Sequence, residues 1–355
     1  RGLETLERRF GQWVRHLSQG ESARGESGQG ELVERLARAV SHALHLKHSC
    51  LDLTQAGELG EPELERLLMD IDPTSVGKID ADASISTGAA GAAPLVRSGD
   101  GRFVWLQKYF LFEATVAKRI RSLAKHEEST LSSELTRALD ELYPADDPRF
   151  RGQREATELA LTRNLAVITG GPGTGKTYTV AGIIGLLRQA DPSLRIALAA
   201  PTGKAANRVM ESLRESIQGE ESGGETPLQR LLGSADLPEK AQTLHSLLGV
   251  HYHSVKPRRN RHQPLDCDVL IVDEASMIDL PMMARILDAL PREGRLILLG
   301  DKDQLNSVEA GGVLADLCAV GEQSVYGDND APVAELAHNW RSVADIKNLA
   351  ETVNE

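Results

Sequence analysis

The sequence predicts an α/β fold: a parallel sheet with helices on both faces, built around a phosphate-binding loop and preceded by a mostly helical region. Three observations lead there. Asn164 to Thr177, NLAVITGGPGTGKT, joins a β-branched apolar run to a complete GxxxxGK[ST] pattern. Val269 to Ser276, VLIVDEAS, and Leu296 to Leu305, LILLGDKDQL, repeat the theme of an apolar strand ending in polar residues. From Gln153 onward strand and helix patterns alternate, the mark of a parallel sheet whose ligands gather beyond the carboxyl ends of its strands.

In the amino-terminal part, Leu3 to Leu17 and Leu32 to Leu46 carry apolar residues at helical spacing, separated by the polar linker SQGESARGESGQGE. A third helix is expected over Glu61 to Met69, with Pro62 in its first turn. The small, polar stretch Ser84 to Ala93 reads as a loop. PLVRSGDGRFVWL after it reads as a hairpin turning at Ser98 to Gly101, followed by helices over Tyr109 to Leu123 and Ser129 to Tyr143. In the second part the expected strands are Leu165 to Thr169, Arg195 to Ala200, Val269 to Val272 and Leu296 to Leu299, with a helix over Tyr178 to Gln189. The division expected is 1–148 for the helical domain and 149–355 for the phosphate-loop domain, with a small basic hairpin insert near 250–265.

With 355 residues the chain has room for two or three domains, and 41% hydrophobic residues is ordinary for a globular protein. No apolar run approaches the ~18 residues of a membrane span, and the amino terminus has no signal-peptide pattern, so a cytoplasmic protein without membrane partners is expected. The chain begins without Met, which suggests a piece of something longer. The three cysteines, Cys50, Cys267 and Cys318, form no CxxC pair and read as small apolar residues. A net charge of −12 argues against a broad nucleic-acid surface, but a motor gripping a single strand needs only a local groove. One basic cluster, KPRRNRH over residues 256–262, could serve DNA or be a solvated loop.

The motifs carry the chemistry. Gly170, Gly171, Gly173 and Gly175 let the backbone curl so that N–H groups point at phosphate oxygens, which a Cβ would obstruct. Lys176 supplies a cation for the β and γ phosphates and Thr177 a hydroxyl for Mg²⁺, while the following helix turns its amino-terminal dipole to the phosphates. Thr174 and Tyr178 are grouped with them as residues of the ATP site. Asp273 would hold Mg²⁺ and Glu274 would orient or deprotonate the attacking water; alone, the pair would read equally well as helix-capping charge. Gln304 could sense the γ phosphate through an uncharged amide, and Arg341 in NWRS could stabilise charge on the transferred phosphoryl group. Gln153, ahead of the loop strand, could pair its amide with an adenine edge.

Taken in order, QREA, GGPGTGKT, APTGKAANR, TLHSLLG, VDEAS, GDKDQL and NWRS resemble the Q motif and motifs I to IV of superfamily 1 helicases. The resemblance is to the RecD-like group, the alpha subunit of exodeoxyribonuclease V, and it extends to HSCLDL and VWLQKYFLFEATVAKRI in the amino-terminal part. It implies a RecA-like ATPase domain and a 5′ to 3′ DNA motor using ATP and Mg²⁺ in double-strand break repair. Single-stranded and duplex DNA, and RecB-like and RecC-like subunits, would be its partners, with the amino-terminal domain as docking surface. It also implies DNA contacts from Pro201, Thr202, Lys204 and Arg208, and from Thr243 and His245; for His245 a plain helix-start role is the alternative. A stand-alone RecD-like helicase, or a P-loop switch or assembly ATPase with no DNA track, are the other readings. The chain stops soon after NWRS, so the second motor domain of a complete helicase is expected to be absent from it, leaving weak ATP binding and little unwinding.

Overall fold

The computed structural model describes residues 9–12, 14, 27–55, 76–79, 85–86, 94–125, 130–218, 225–233, 237–250, 257–304, 312–322, 332–338 and 340. Contacts divide the chain into two compact units, one made of Arg1–Ala117, Asp279–Ala284 and Ser307–Gly311, the other of Lys118–Ile278, Arg285–Asn306 and Gly312–Glu355.

In the first unit, helix α1 (Ser27–His45) lays an apolar stripe, Val33, Leu36, Ala37 and Val40, against Leu51, Leu95 and Val104 of a sheet. Its strands are β1 (Leu51–Asp52), β2 (Gly77–Ile79), β3 (Ile85–Ser86), β4 (Leu95–Arg97) and β5 (Phe103–Leu106), in the order β1-β5-β4-β2-β3. Strand alternation sends Val96 and Trp105 to the other face, where they pack with Phe110. The expected hairpin is present: Gly101, at φ +79°, takes the turn position that favours glycine, and its N–H donates to Ser98 O at 2.9 Å. The rest of this sheet departs from the mostly helical expectation, because strands of two to four residues carry too few alternations to be read. β3 lies inside the stretch expected to be loop. Residues 9–12 and 14 of the helix expected over Leu3 to Leu17 are helical, and the helix expected over Glu61 to Met69 lies outside the described residues. Helix α2 (Gln107–Ala124) follows β5 directly.

The second unit holds a six-stranded sheet among the described residues, every pairing parallel. Along the chain come α3 (Ser133–Leu142), α4 (Arg151–Thr162), β6 (Leu165–Gly170), α5 (Lys176–Ala190), β7 (Ile196–Ala200), α6 (Gly203–Gln218), α7 (Pro227–Gly233), β8 (Ala241–Thr243), α8 (Leu244–Leu248), β9 (Val269–Val272), α9 (Leu280–Ala289), β10 (Arg295–Gly300), α10 (Val313–Glu322) and β11 (Val333–Leu336). The spatial order is β11-β6-β10-β9-β7-β8. All residues of β6 and β9 are buried, as expected of strands covered on both faces. The four strands read from sequence are found within a residue of their expected limits; β8 (AQT) and β11 (VAEL), too short and polar to give an apolar run, are additional. Helix α3, which the sequence reading placed in the amino-terminal domain, packs Leu139 and Leu142 into the core of this second unit, with Tyr143 fully buried beside them. Cys267 and Cys318 are buried, and burial pushes the Cys267 thiol up to about 11. No helix of the described residues is long and apolar enough to cross a membrane.

Helix α4 touches β11 through Gly152: a Cβ there would stand 2.6 Å from Glu335 O and 3.3 Å from Leu336 Cα. Because the obstacle is backbone, a larger residue must push the helix away from the sheet. Gly152→Ala is expected to destabilise the full chain by about 1–3 kcal/mol, read as a shift in the denaturant midpoint. An unchanged midpoint would show that α4 and β11 do not approach this closely.

Candidate nucleotide site

Strand β6 ends at Gly170 and α5 starts at Lys176, and the five residues between them form the loop. Two of those residues, Gly173 at φ +82° and Gly175 at φ +83°, lie in the left-handed region, where a side chain would be strained. Gly175 is also hemmed in, since a Cβ would meet Gln153 Nε2 and Trp340 Cδ1, each at 3.3 Å. The loop is fastened from several sides. Thr174 donates its hydroxyl to Gly171 O at 2.9 Å, Gln153 donates Nε2 to Thr174 O at 3.2 Å, and the Trp340 N–H donates to Gly173 O at 2.9 Å. Lys176 bends its ammonium back over the loop, donating to Gly170 O at 2.6 Å and Gly171 O at 3.0 Å.

The loop opens on a cleft of about 590 Å³ whose walls include Lys176, Thr177, Asp273, Glu274, Asp301 and Gln304. They arrive in pairs from the ends of three strands, β6, β9 and β10. Asp273 follows β9, its N–H held by Ala199 O of β7 at 3.0 Å. Glu274 comes next at φ +54°, outside the region side chains prefer, and starts the turn 275–277. Non-glycine residues held there cost of order 1–3 kcal/mol and gather at functional sites. Beyond β10, Asp301 is only 7% exposed and accepts from the Asp303 N–H at 3.1 Å, while Lys302 N–H donates to Thr169 Oγ1 at 3.2 Å, tying this turn to the end of β6. Gln304 N–H donates to Asp301 O at 3.3 Å and the side chain is exposed at the cleft.

Burial lowers the Lys176 pKa, opposed by Asp273, Asp301 and Glu274 in that order. Burial likewise raises the Asp273 pKa; the Glu274 backbone N–H opposes this, the Glu274 charge adds to it, and Lys176 and Arg208 oppose it. The cleft thus concentrates opposite charges in a partly dry site, where each acts more strongly than in water.

The structure brings together Gly171, Gly173, Thr174, Gly175, Lys176, Thr177, Asp273, Glu274 and Gln304. It separates others. Tyr178 is not among the residues lining the cleft; its half-buried ring packs edge-on against Tyr143, ring centroids 6.0 Å apart, beside the core. Gln153 is 2% exposed beneath the loop, and one N–H of its amide braces Thr174 instead of facing an open base site. Arg341 lies outside the described residues. Of the residues assigned to DNA, Pro201, Thr202 and Lys204 at the start of α6 neighbour Thr243 and His245, because β7 and β8 pair with Ala200 opposite Thr243. Thr202 Oγ1 accepts from the Ala205 N–H and Thr243 Oγ1 from the Ser246 N–H, each at 3.2 Å, so both hydroxyls cap helices and keep their own proton for an outside acceptor. Arg208 departs from this group and lines the cleft. In the basic insert, Arg259 donates to Pro264 O and Arg261 pairs with Asp288, which ties these two to the fold.

Sequence reasoning missed Asp301 and Trp340 as lining residues. For Asp301 the signal was present, a carboxylate immediately after an apolar strand, as at Asp273. For Trp340 the only signal was an aromatic residue beside the singled-out arginine. Its ring sits 5.0 Å from that of Phe150, with the Arg149 guanidinium 5.7 Å from its centroid.

A carboxylate whose folded pKa is raised favours folding at low pH; that contribution falls as pH rises from the unfolded value of about 4 and is lost above the folded pKa. Asp273→Asn is therefore expected to raise the melting temperature near pH 7 by about 2–4 °C, with the gain shrinking as pH falls and wild type becomes protonated. Equal or lower stability at pH 7 would contradict the electrostatic cost assigned to Asp273.

Comparison with known proteins agrees with this geometry. Residues 153–310 match the family described as AAA domain. The RecBCD enzyme subunit RecD of Mycolicibacterium smegmatis is 40% identical over 332 residues, which is 90% of this chain and 54% of that protein. The RecBCD enzyme subunit RecD of Haemophilus influenzae is 43% identical over 216 residues, covering 60% of this chain and 32% of that protein. The ATP-dependent RecD2 DNA helicase of Deinococcus radiodurans is 31% identical over 330 residues, covering 87% and 38%. The chain thus spans about half the length, or less, of these relatives. With similarity running through its amino-terminal part as well as its phosphate loop, the chain belongs to the RecD-like family.

Proposed function

We propose that the chain carries the ATP-binding half of an ATP-dependent DNA motor, a 5′ to 3′ helicase or translocase subunit acting with RecB-like and RecC-like partners in double-strand break processing, in the cytoplasm. One observation carries the nucleotide part of this reading: Lys176, Thr177, Asp273, Glu274 and Gln304, drawn from three strand ends, share one cleft. Similarity to RecD subunits over 90% of the chain supports the motor and partner assignments.

The residues suit a magnesium-bound triphosphate. Gly173 and Gly175 supply the left-handed turns that carry the loop backbone around its opening, and the α5 amino terminus faces the same opening. Thr177 Oγ1 and the Asp273 carboxylate line the same cleft and suit an ion held by one or two protein oxygens together with phosphate. When bound, Mg²⁺ would neutralise charge on the phosphates. Lys176 would exchange its bonds to Gly170 O and Gly171 O for phosphate oxygens. Glu274 is set to take a proton from the attacking water, and Gln304, with an uncharged amide at the cleft, to register loss of the γ phosphate. The paired turns at 201–204 and 243–245 offer two hydroxyl protons, an ammonium and an imidazole to a strand backbone running past the β7–β8 edge.

Two variants of the full-length protein test the roles. Lys176→Ala is expected to weaken ATP binding at least about tenfold, and Glu274→Gln to keep ATP affinity while slowing hydrolysis about 10²–10⁴-fold. Normal hydrolysis by Glu274→Gln would remove Glu274 from its role. Single-stranded DNA is expected to stimulate the ATPase of the full-length protein; a DNA-independent rate would favour a switch ATPase. Copurification with RecB-like and RecC-like subunits is expected, and isolation as a lone active helicase would favour the stand-alone form, to which the similarity with the Deinococcus radiodurans helicase also points.

A further inference from the structure

Arg208 sits in the cleft although its motif points to DNA. It lies on α6, six residues beyond Thr202 and so about 9 Å farther along the helix axis. It lines the cleft with Lys176 and Asp273, and its charge acts on Asp273. Its side chain is exposed and makes no hydrogen bond and no ion pair within 4 Å among the described residues. By contrast Arg195 is held by Asp266 and Asp268, and Arg295 by Ala160 O and Leu161 O. Among the described residues, Arg208 is a guanidinium left available at the mouth of a site.

Charge and topology say what it faces. The cleft carries three carboxylates, Asp273, Glu274 and Asp301, against Lys176 and Arg208. A triphosphate entering it brings further negative charge to the carboxylate side, which Lys176, a bound Mg²⁺ and Arg208 are placed to oppose. In the sheet, β10 and β9 lie between β6 and β7, so Lys176, after β6, and Arg208, on the helix after β7, bracket the carboxylate turns from two sides. Lys176 leans over the loop, where the inner phosphates belong, and the opposite wall is left to the terminal one. A planar guanidinium fork suits that oxygen-rich end.

We propose that Arg208 binds the γ phosphate of the bound nucleoside triphosphate from the α6 wall, and that α6 thereby joins the terminal phosphate to the turn at 201–204. This rests on the cleft being a nucleoside triphosphate site. Such a contact exists with the triphosphate and is lost with the diphosphate, so hydrolysis would be felt at the amino end of α6.

The test uses the full-length protein with Mg²⁺: wild type, Arg208→Ala, Arg208→Lys and, as control, Lys176→Ala. Equilibrium affinities are measured for ADP, for a non-hydrolysable ATP analogue and, without nucleotide, for single-stranded DNA. For Arg208→Ala the expected result is at least about tenfold weaker analogue binding with ADP and DNA affinities within about twofold of wild type; Arg208→Lys should fall between. Retained ADP binding reports a folded site. Equal loss for ADP and analogue would overturn the γ-phosphate contact, as would weakened DNA binding with unchanged nucleotide affinities, which returns Arg208 to the DNA surface. Unchanged affinities throughout would overturn it too. If Lys176→Ala binds both nucleotides normally, the reading of the cleft itself fails; if only the Arg208 variants are silent, this inference fails alone.

Discussion

The register of the parallel strands is the constraint on which the site depends. Gly300 of β10 stands opposite Thr169 of β6, Leu298 of β10 opposite Val272 of β9, and Ala199 of β7 opposite Val272. These pairings bring four strand ends to nearly one level, and the turns after them open on a common crevice. A slip of one residue would carry Asp273 about 3.3 Å along the strand axis and reverse its facing. The buried faces of β6 and β9 oppose any such slip, because a shifted strand would no longer fit the helices packed on both sides.

Against that ordered base, the site gathers features that folding alone would reject. Glu274 adopts a left-handed backbone, Asp273 is a half-buried carboxylate, and Lys176 is partly desolvated above a loop whose glycines forgo side chains. All of them are local to the cleft, whereas the core beneath includes a continuous apolar cluster in which alternate residues of β6, β7, β9 and β10 pack with α3, α4, α5, α6 and α7. Stability is supplied below the crevice and reactivity assembled above it, as expected where function opposes local preference.

What could be read in advance follows the same division. Leu165 to Thr169 and Val269 to Val272 were legible because both faces are buried and the run is continuously apolar. The loop was legible because its glycines and lysine serve one backbone shape. β8 and β11 were not, since AQT and VAEL become strands only by pairing with β7 and β6. The same holds for the two- to four-residue strands of the first unit. Trp340 and Asp301 are held at the cleft by contacts distant in sequence, Gly173 O for one and Thr169 Oγ1 through Lys302 for the other. Helix α3 was placed with the wrong neighbours because amphipathic spacing shows that a helix buries one face and says nothing of what covers it.

The brevity of those two marginal strands has a colloidal consequence. β8 and β11 form the borders of the six-stranded sheet among the described residues, and a sheet border presents unpaired peptide groups to any passing extended segment. Here one border is three half-buried residues with a glutamine at its centre, and the other is four residues carrying an exposed glutamate. Neither is long, flat or greasy enough to template further strand addition. The hydrophobic interior strands are thereby fenced from lateral growth by the same polar brevity that concealed their neighbours.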